Sequence, residues 1–307
     1  MRVAVMGSGG IGGVLGGRLQ ATGQDVRFIA RGSHLAALQG EGLRLLSPNG
    51  DLHLPSVQVT DDPASIGACD VVVFAVKMPD AAAAAKSITP LVGPDTLVAP
   101  YLNGVEATDI LIDAVGRAPV VGGVAYISAA IDRPGVIRQT GTFQRFVHGE
   151  LDGSQSDRLA AWHQALSAAG IESQVTDAIE REVWRKFILL AAHSGVTSLT
   201  RRPIGDVRDH PDTMTLAGSA VAETAAVAAA RGVGLPNDVV AQTMATIEGM
   251  PADMKSSMLV DLERGKPLEL AWLSGAVARL GQAHNVPTPS HQFIATALAL
   301  HADGQET

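Results

Sequence analysis

A short apolar strand, a glycine turn, a helix and a second strand open this chain, and that order constrains its fold more than any other feature. Arg2–Met6 is an apolar, β-branched run, the pattern of a strand buried on both faces. It ends on Gly7-Ser8-Gly9-Gly10-Ile11-Gly12, a match to GxGxxG. The residues after it read as a helix leading to a second strand, Asp25–Ile29. Gly7 permits the tight turn, Gly9 lets the backbone approach a pyrophosphate, and Gly12 lets the helix pack close to the strand. The helix N-terminus offers its free N–H groups to the phosphates. In a chain with 33 glycines the motif alone says little; its strand–turn–helix–strand setting makes it specific. Gly7, Ser8, Gly9, Gly10, Ile11 and Gly12 are therefore the expected cofactor contacts.

The end of the second strand bears on which dinucleotide. An NAD site places Asp or Glu there to take the ribose 2′-hydroxyl. This chain has Ile29-Ala30-Arg31-Gly32 and no carboxylate. Arg31 offers a planar, permanently charged fork suited to a 2′-phosphate, so the expected cofactor is NADP(H). A solvated surface arginine is the alternative.

Composition bounds the rest. With 307 residues the chain is long enough for two domains, and 46% hydrophobic against 18% charged residues is ordinary for a globular protein. A formal net charge of −8 argues against nucleic acid or an anionic membrane as partner. Cys69 is the only cysteine, so no internal disulfide can form and nothing points to an oxidising compartment. The chain enters a core strand with no charged leader, and no stretch reads as long and apolar enough to span a bilayer. The expectation is a cytoplasmic protein with a small-molecule substrate and no metal site. A homodimer is a further expectation, resting only on apolar helices in the second half.

Roughly the first half alternates strands with helical stretches, the pattern of a doubly wound parallel sheet. Strands are read at Leu43–Leu46, 57–60, 71–76, 96–100, 120–125, 136–139 and 143–148. Helices are read at 33–39, 80–88 and 157–169. From about Asp177 strand signals cease, and helical patterns follow at 178–193, 214–231, 237–248, 268–284 and 289–301. The expected fold is α/β, with an N-terminal Rossmann dinucleotide-binding domain over 1–176 and a C-terminal all-helical domain over 177–307.

Five further residues carry candidate chemistry. Lys77 and Asn103 follow the carboxyl ends of two predicted central strands, the edge where open α/β sheets bind ligands. Lys186, in Glu182-Val183-Trp184-Arg185-Lys186-Phe187, lies mid-helix among large apolar residues. Burial lowers an ammonium pKa, and a lysine tuned toward neutrality acts as a general acid, although lysines on helices are more often solvated. Ser257, in Ser256-Ser257-Met258, and Glu269 suit a substrate carboxylate and a substrate hydroxyl; a helix N-cap and a surface carboxylate are the plainer readings.

Taken in order, these residues match a known pattern. The chain resembles the ketopantoate reductase (2-dehydropantoate 2-reductase) family over nearly its full length. The resemblance rests on the glycine turn 7–12, Arg31, Val76-Lys77, Asn103-Gly104, Glu182-Val183-Trp184-Arg185-Lys186, Ser256-Ser257-Met258 and Glu269. It implies an NADP-dependent oxidoreductase that reduces a 2-oxo acid to a 2-hydroxy acid, 2-dehydropantoate to pantoate first, within pantothenate biosynthesis. Lys186 would match the general acid, Glu269 the carboxylate beside it, and Asn103 and Ser257 substrate contacts. Arg31, Lys77 and Asn103 would match the cofactor contacts.

Departures from the family pattern fall on the substrate side. Four and eight residues past the lysine the family carries Asn; here stand Leu190 and Ser194, with Ser194 the remaining polar candidate for substrate. His193 lies near the same face. Ala271 and Ser274 replace a family Asp and Asn downstream of Glu269. Such changes alter selectivity more than chemistry. They leave open a family reductase for a different 2-oxo acid, a bulkier ketone or an imine. A non-catalytic NADPH-binding sensor is the competing class, and retention of both Lys186 and Glu269 argues against it.

Overall fold

The computed structural model describes residues 1–304, so the last three residues of the expected helical domain lie outside the described residues. The chain forms two compact units: Met1–Leu102 with Glu106–Ile179, and Asn103–Val105 with Glu180–Thr307. The first is α/β and the second helical.

The first unit is built on a five-stranded parallel sheet, ordered β5-β2-β1-β6-β7. Its strands are β1 (Arg2–Met6), β2 (Asp25–Ile29), β5 (Gln58–Thr60), β6 (Cys69–Phe74) and β7 (Val92–Pro100). Helices α1 (Gly10–Ala21), α2 (Gly32–Glu41), α3 (Ala81–Ser87), α4 (Ala107–Val115) and α5 (Asp157–Ala168) belong to the same unit. Central strands buried on both faces explain the unbroken apolar runs: Val3, Val5, Val71 and Val73 are all in the core. Helix α1 packs its glycine side inward. A Cβ on Gly16 would come within 2.4 Å of the Phe28 ring, and one on Gly13 within 2.6 Å of Ile137.

A second sheet departs from the sequence expectation. Strands β3 (Leu43–Leu46), β4 (Leu52–Leu54), β8 (Gly122–Arg133), β9 (Val136–Gly149) and β10 (Glu172–Val175) form it, in the order β10-β9-β3-β4 with β8 paired to β9. The runs read at 120–125, 136–139 and 143–148 are parts of one long antiparallel hairpin, β8–β9. Its register shifts between Ile127 and Ser128, which breaks the two-residue alternation that would have revealed a continuous pair. Strands β4 and β10 are too short to announce themselves, and α4 buries only Ala107 and Leu111.

In the second unit α6 (Ile179–Thr200) is the longest helix; its first residue clusters with the first unit. It is followed by α7 (Ile204–Asp209), α8 (Pro211–Ala230), α9 (Val239–Glu248), α10 (Ser257–Glu263), α11 (Ser274–Ala283) and α12 (Pro289–Ala297). The stretch read as one helix over 268–284 is a short 3₁₀ turn, Leu270–Trp272, and then α11, divided at Leu273 by backbone angles of φ −109° and ψ −102°. Helix α8 corrects the expectation that no stretch is apolar enough to cross a bilayer: this 20-residue helix contains an 18-residue window of mean hydropathy 1.2 and meets that test by length and composition. Ala217, Ala220, Val221, Val227 and Ala228 of this helix are buried in the helical core, and Thr224 Oγ1 meets His291 Nε2 of α12 at 2.8 Å. Its apolar stripe is accounted for by packing within the unit.

Candidate active site

The glycine turn connects β1 to α1, and its four glycines are not equivalent. Gly7 has φ +95°, and an added Cβ would lie 2.7 Å from the backbone of Ala75 and Val76. A Cβ on Gly10 would sit 2.0 Å from the Ala129 carbonyl, and one on Gly12 2.2 Å from the Gly7 carbonyl. These three are required by the protein's own packing. A Cβ on Gly9 would meet nothing within 4 Å. What a side chain there would obstruct is the space beside the turn, and that open cradle fits a pyrophosphate approaching the backbone.

Ser8 is fixed from several directions. Its N–H and its hydroxyl both donate to the Ile29 carbonyl, at 3.3 and 2.9 Å. Its own carbonyl accepts from His34 Nε2 at 2.9 Å. His34, buried in the first turn of α2, also accepts from the Gly135 N–H at 3.1 Å through Nδ1. Arg31 is exposed at the N-cap of α2, and Lys77 is exposed in the loop after β6. Ile11 is half-buried and packs against the first unit's core.

The second unit gathers three of the expected residues. Lys186 Nζ, on α6, donates to Asn103 Oδ1 at 3.0 Å, and Asn103 Nδ2 donates to Glu269 Oε2 at 3.3 Å. The two bonds fix the Asn103 amide: its oxygen faces the cation and its nitrogen the carboxylate. Gly104 turns the chain away with φ +94°, where an added Cβ would lie 3.3 Å from the Trp272 carbonyl. Trp184 and Phe187, on either side of the lysine in sequence, pack edge to face with their centroids 5.5 Å apart. Desolvation pushes the Lys186 ammonium down to about 8, and the Glu269 charge partly offsets it. The result is a cation that is mostly protonated at neutral pH yet gives up its proton readily.

Beyond Lys186 the same helix carries the departures noted in the sequence. Leu190 packs in the apolar cluster of Trp184, Phe187 and Leu273. Ser194 is wholly buried, and its Oγ has no partner within the protein; Ser198 Oγ, Ser274 Oγ and His193 Nε2 share that condition. Threonines of these helices bond back to the carbonyl four residues earlier, as Thr197 does to His193 at 2.6 Å, and these serines do not. Burial pushes His193 down to about 4, so its imidazole is neutral at physiological pH. Ser257 is exposed at the start of α10. It is its neighbour Ser256 that is buried, capping the helix through the Leu259 N–H at 3.1 Å and meeting Thr197 Oγ1 at 2.8 Å.

The structure thus brings Lys186, Asn103 and Glu269 into one hydrogen-bonded group, leaves Ser257 exposed, and gathers the turn residues 7–12 in the other unit. His34 escaped the sequence reading. Its link to Ser8 is a tertiary contact across 26 residues, and the only local signal is its place three residues after Arg31.

A glycine turn after the central strand of a parallel sheet, with a half-buried lysine bonded to an amide–carboxylate pair on a helical unit, fits a two-domain oxidoreductase. The comparisons with known proteins give the family. Residues 3–153 match the description "Ketopantoate reductase PanE/ApbA" and residues 178–302 "Ketopantoate reductase PanE/ApbA C terminal". The chain belongs to the ketopantoate reductase family. It is 32% identical to a 2-dehydropantoate 2-reductase of Mesorhizobium japonicum over 94% of each chain. It is 29% identical to the uncharacterized oxidoreductase YkpB of Bacillus subtilis over 98% of this chain and 99% of that protein. A crystal structure of a PanE/ApbA family ketopantoate reductase from Ralstonia eutropha superposes with a TM-score of 0.90 at 31% identity, covering 98% of each chain.

Proposed function

We propose that this chain reduces the carbonyl of a 2-oxo acid to a 2-hydroxy acid with NADPH, and that 2-dehydropantoate is the first substrate to test. The observation that carries the reading is the hydrogen bond from the half-buried Lys186 ammonium to Asn103, which in turn bonds Glu269; desolvation lowers that ammonium to about 8. In this reading the turn 7–12 holds the pyrophosphate, Arg31 takes the 2′-phosphate, and Lys77 and Asn103 make further cofactor contacts. NADPH, when bound, supplies the hydride that reaches the carbonyl carbon.

The chain's own groups do the rest. Lys186 holds a proton at Nζ, donates it to the carbonyl oxygen as negative charge develops there, and stabilises that charge before transfer. Asn103 accepts one ammonium N–H and so aims the others. Glu269 steadies the cation and accepts from a substrate hydroxyl. Ser194 and Ser257 supply hydroxyls for the substrate's carboxylate. A carboxylate substrate suits a site whose working group is a cation in a chain of net charge −8.

One observation favours a second reading within the same chemistry. Leu190 presents an alkyl chain, and the buried Ser194 hydroxyl lacks a partner, where the family pattern has two amides. A pocket so altered suits a different 2-oxo acid or a bulkier ketone. The test is the rate of dinucleotide oxidation with 2-dehydropantoate beside a panel of other 2-oxo acids and ketones, with NADPH and NADH in parallel. The expected result is turnover on a 2-oxo acid with NADPH preferred. Turnover confined to other ketones selects the second reading, and none on any carbonyl, or a preference for NADH, contradicts the proposal.

A further inference from the structure

We infer that His34 is a positioning residue that holds the dinucleotide turn in the shape a pyrophosphate needs, in register with Arg31. The inference rests on the dinucleotide reading above. Its starting point is a histidine with both ring nitrogens committed. The Gly135 N–H can only donate, so Nδ1 accepts; the Ser8 carbonyl can only accept, so Nε2 carries the proton. One neutral tautomer satisfies both bonds, and burial favours that uncharged form.

The effect on the turn follows from peptide geometry. A trans peptide is planar, with its C=O and N–H pointing in opposite directions. The Ser8 carbonyl, drawn to His34, turns the Gly9 N–H to the other side of the Ser8–Gly9 peptide. Gly9 is the turn glycine whose added Cβ would meet nothing, so the backbone oriented in this way borders the open cradle. Ser8 cannot rotate to escape, because its N–H and hydroxyl are both held by Ile29.

The far side of the latch is equally well fixed. Gly135 lies in the β8–β9 turn, and its carbonyl accepts from the Arg44 N–H of β3 at 2.9 Å. His34 therefore ties the β1–α1 turn to the second sheet. The same first turn of α2 has Arg31 as its N-cap, so a single rigid segment joins the proposed 2′-phosphate contact to the pyrophosphate turn. A histidine that only filled the core would need none of this alignment.

The experiment measures NADPH and NADH dissociation constants, steady-state constants and melting temperatures for wild type, His34→Ala and His34→Gln. Gln keeps an N–H donor at comparable reach. His34→Ala releases the Ser8 carbonyl and is expected to weaken both dinucleotides about tenfold or more. The loss should fall on both dinucleotides, unlike that of Arg31→Ala, which falls on NADPH. The cofactor KM should rise by more than kcat falls, and His34→Gln should recover most of the affinity. Unchanged affinity in His34→Ala overturns the inference. So does a loss that merely follows the melting temperature and is not recovered by a His34→Gln protein of restored stability. Wild-type protein that binds neither dinucleotide overturns the parent reading and this one with it; wild-type binding with indifferent variants overturns this one alone.

Discussion

Two opposing effects act on the Lys186 ammonium: burial drives its proton off, and the Glu269 charge holds it on. Burial wins, and the group comes to rest near 8, below a free lysine and still above neutrality. A proton donor works best when its pKa lies near the working pH, because it is then both loaded and willing. The sign of the pH dependence follows. The competent form is protonated, so kcat/KM for carbonyl reduction should be level through neutrality and fall about tenfold per unit above pH 8. Glu269→Gln removes the effect that raises the pKa, so the break should move to lower pH. A pH–rate profile of the two proteins checks this, and a break that stays in place would contradict the pairing. The sequence marked Lys186 by its aromatic flanks, while the hydrogen bond to Asn103, across 83 residues, is visible only in the fold.

At the scale of elements the glycine turn is where sequence and structure agree most closely. Its spacing identified the strand and the helix, because the demand of Gly12 on the Gly7 carbonyl is local in the chain; the demands on Gly7 and Gly10 come from Ala75, Val76 and Ala129, far along it. Structure adds the division of labour among those glycines. Gly12→Ala places a methyl 2.2 Å from the Gly7 carbonyl, so it should lower the melting temperature. Gly9→Ala finds no protein atom within 4 Å, so it should melt near wild type and lose dinucleotide affinity. Thermal melts alongside cofactor titrations separate the two; equal destabilisation would contradict the assignment. The hairpin β8–β9 was less legible, because a register shift interrupts its alternation and its pairing partners, β3 and β10, lie far away in sequence. Helix α4 buries only Ala107 and Leu111 and is a short element, and the break at Leu273 is set by backbone angles that composition does not announce. His34 illustrates the limit: its position on α2 follows from sequence, but both of its bonds are tertiary.

At the scale of the whole molecule the two units carry different parts of the proposed reaction. The turn 7–12, His34 and Arg31 belong to the first, and Lys186, Asn103 and Glu269 to the second, with the short segment Asn103–Val105 clustering away from the strand that precedes it. Cofactor affinity and proton transfer should therefore be separable by substitution. The most direct test is Lys186→Met, read in two ways on one preparation: the NADPH dissociation constant and the rate of 2-oxo acid reduction at saturating NADPH. Loss of a general acid costs about 10²–10⁴ in rate, so turnover should fall by that factor while NADPH binding stays within about twofold. Turnover that survives the substitution would contradict the role given to Lys186, and with it the account of how this chain reduces a carbonyl.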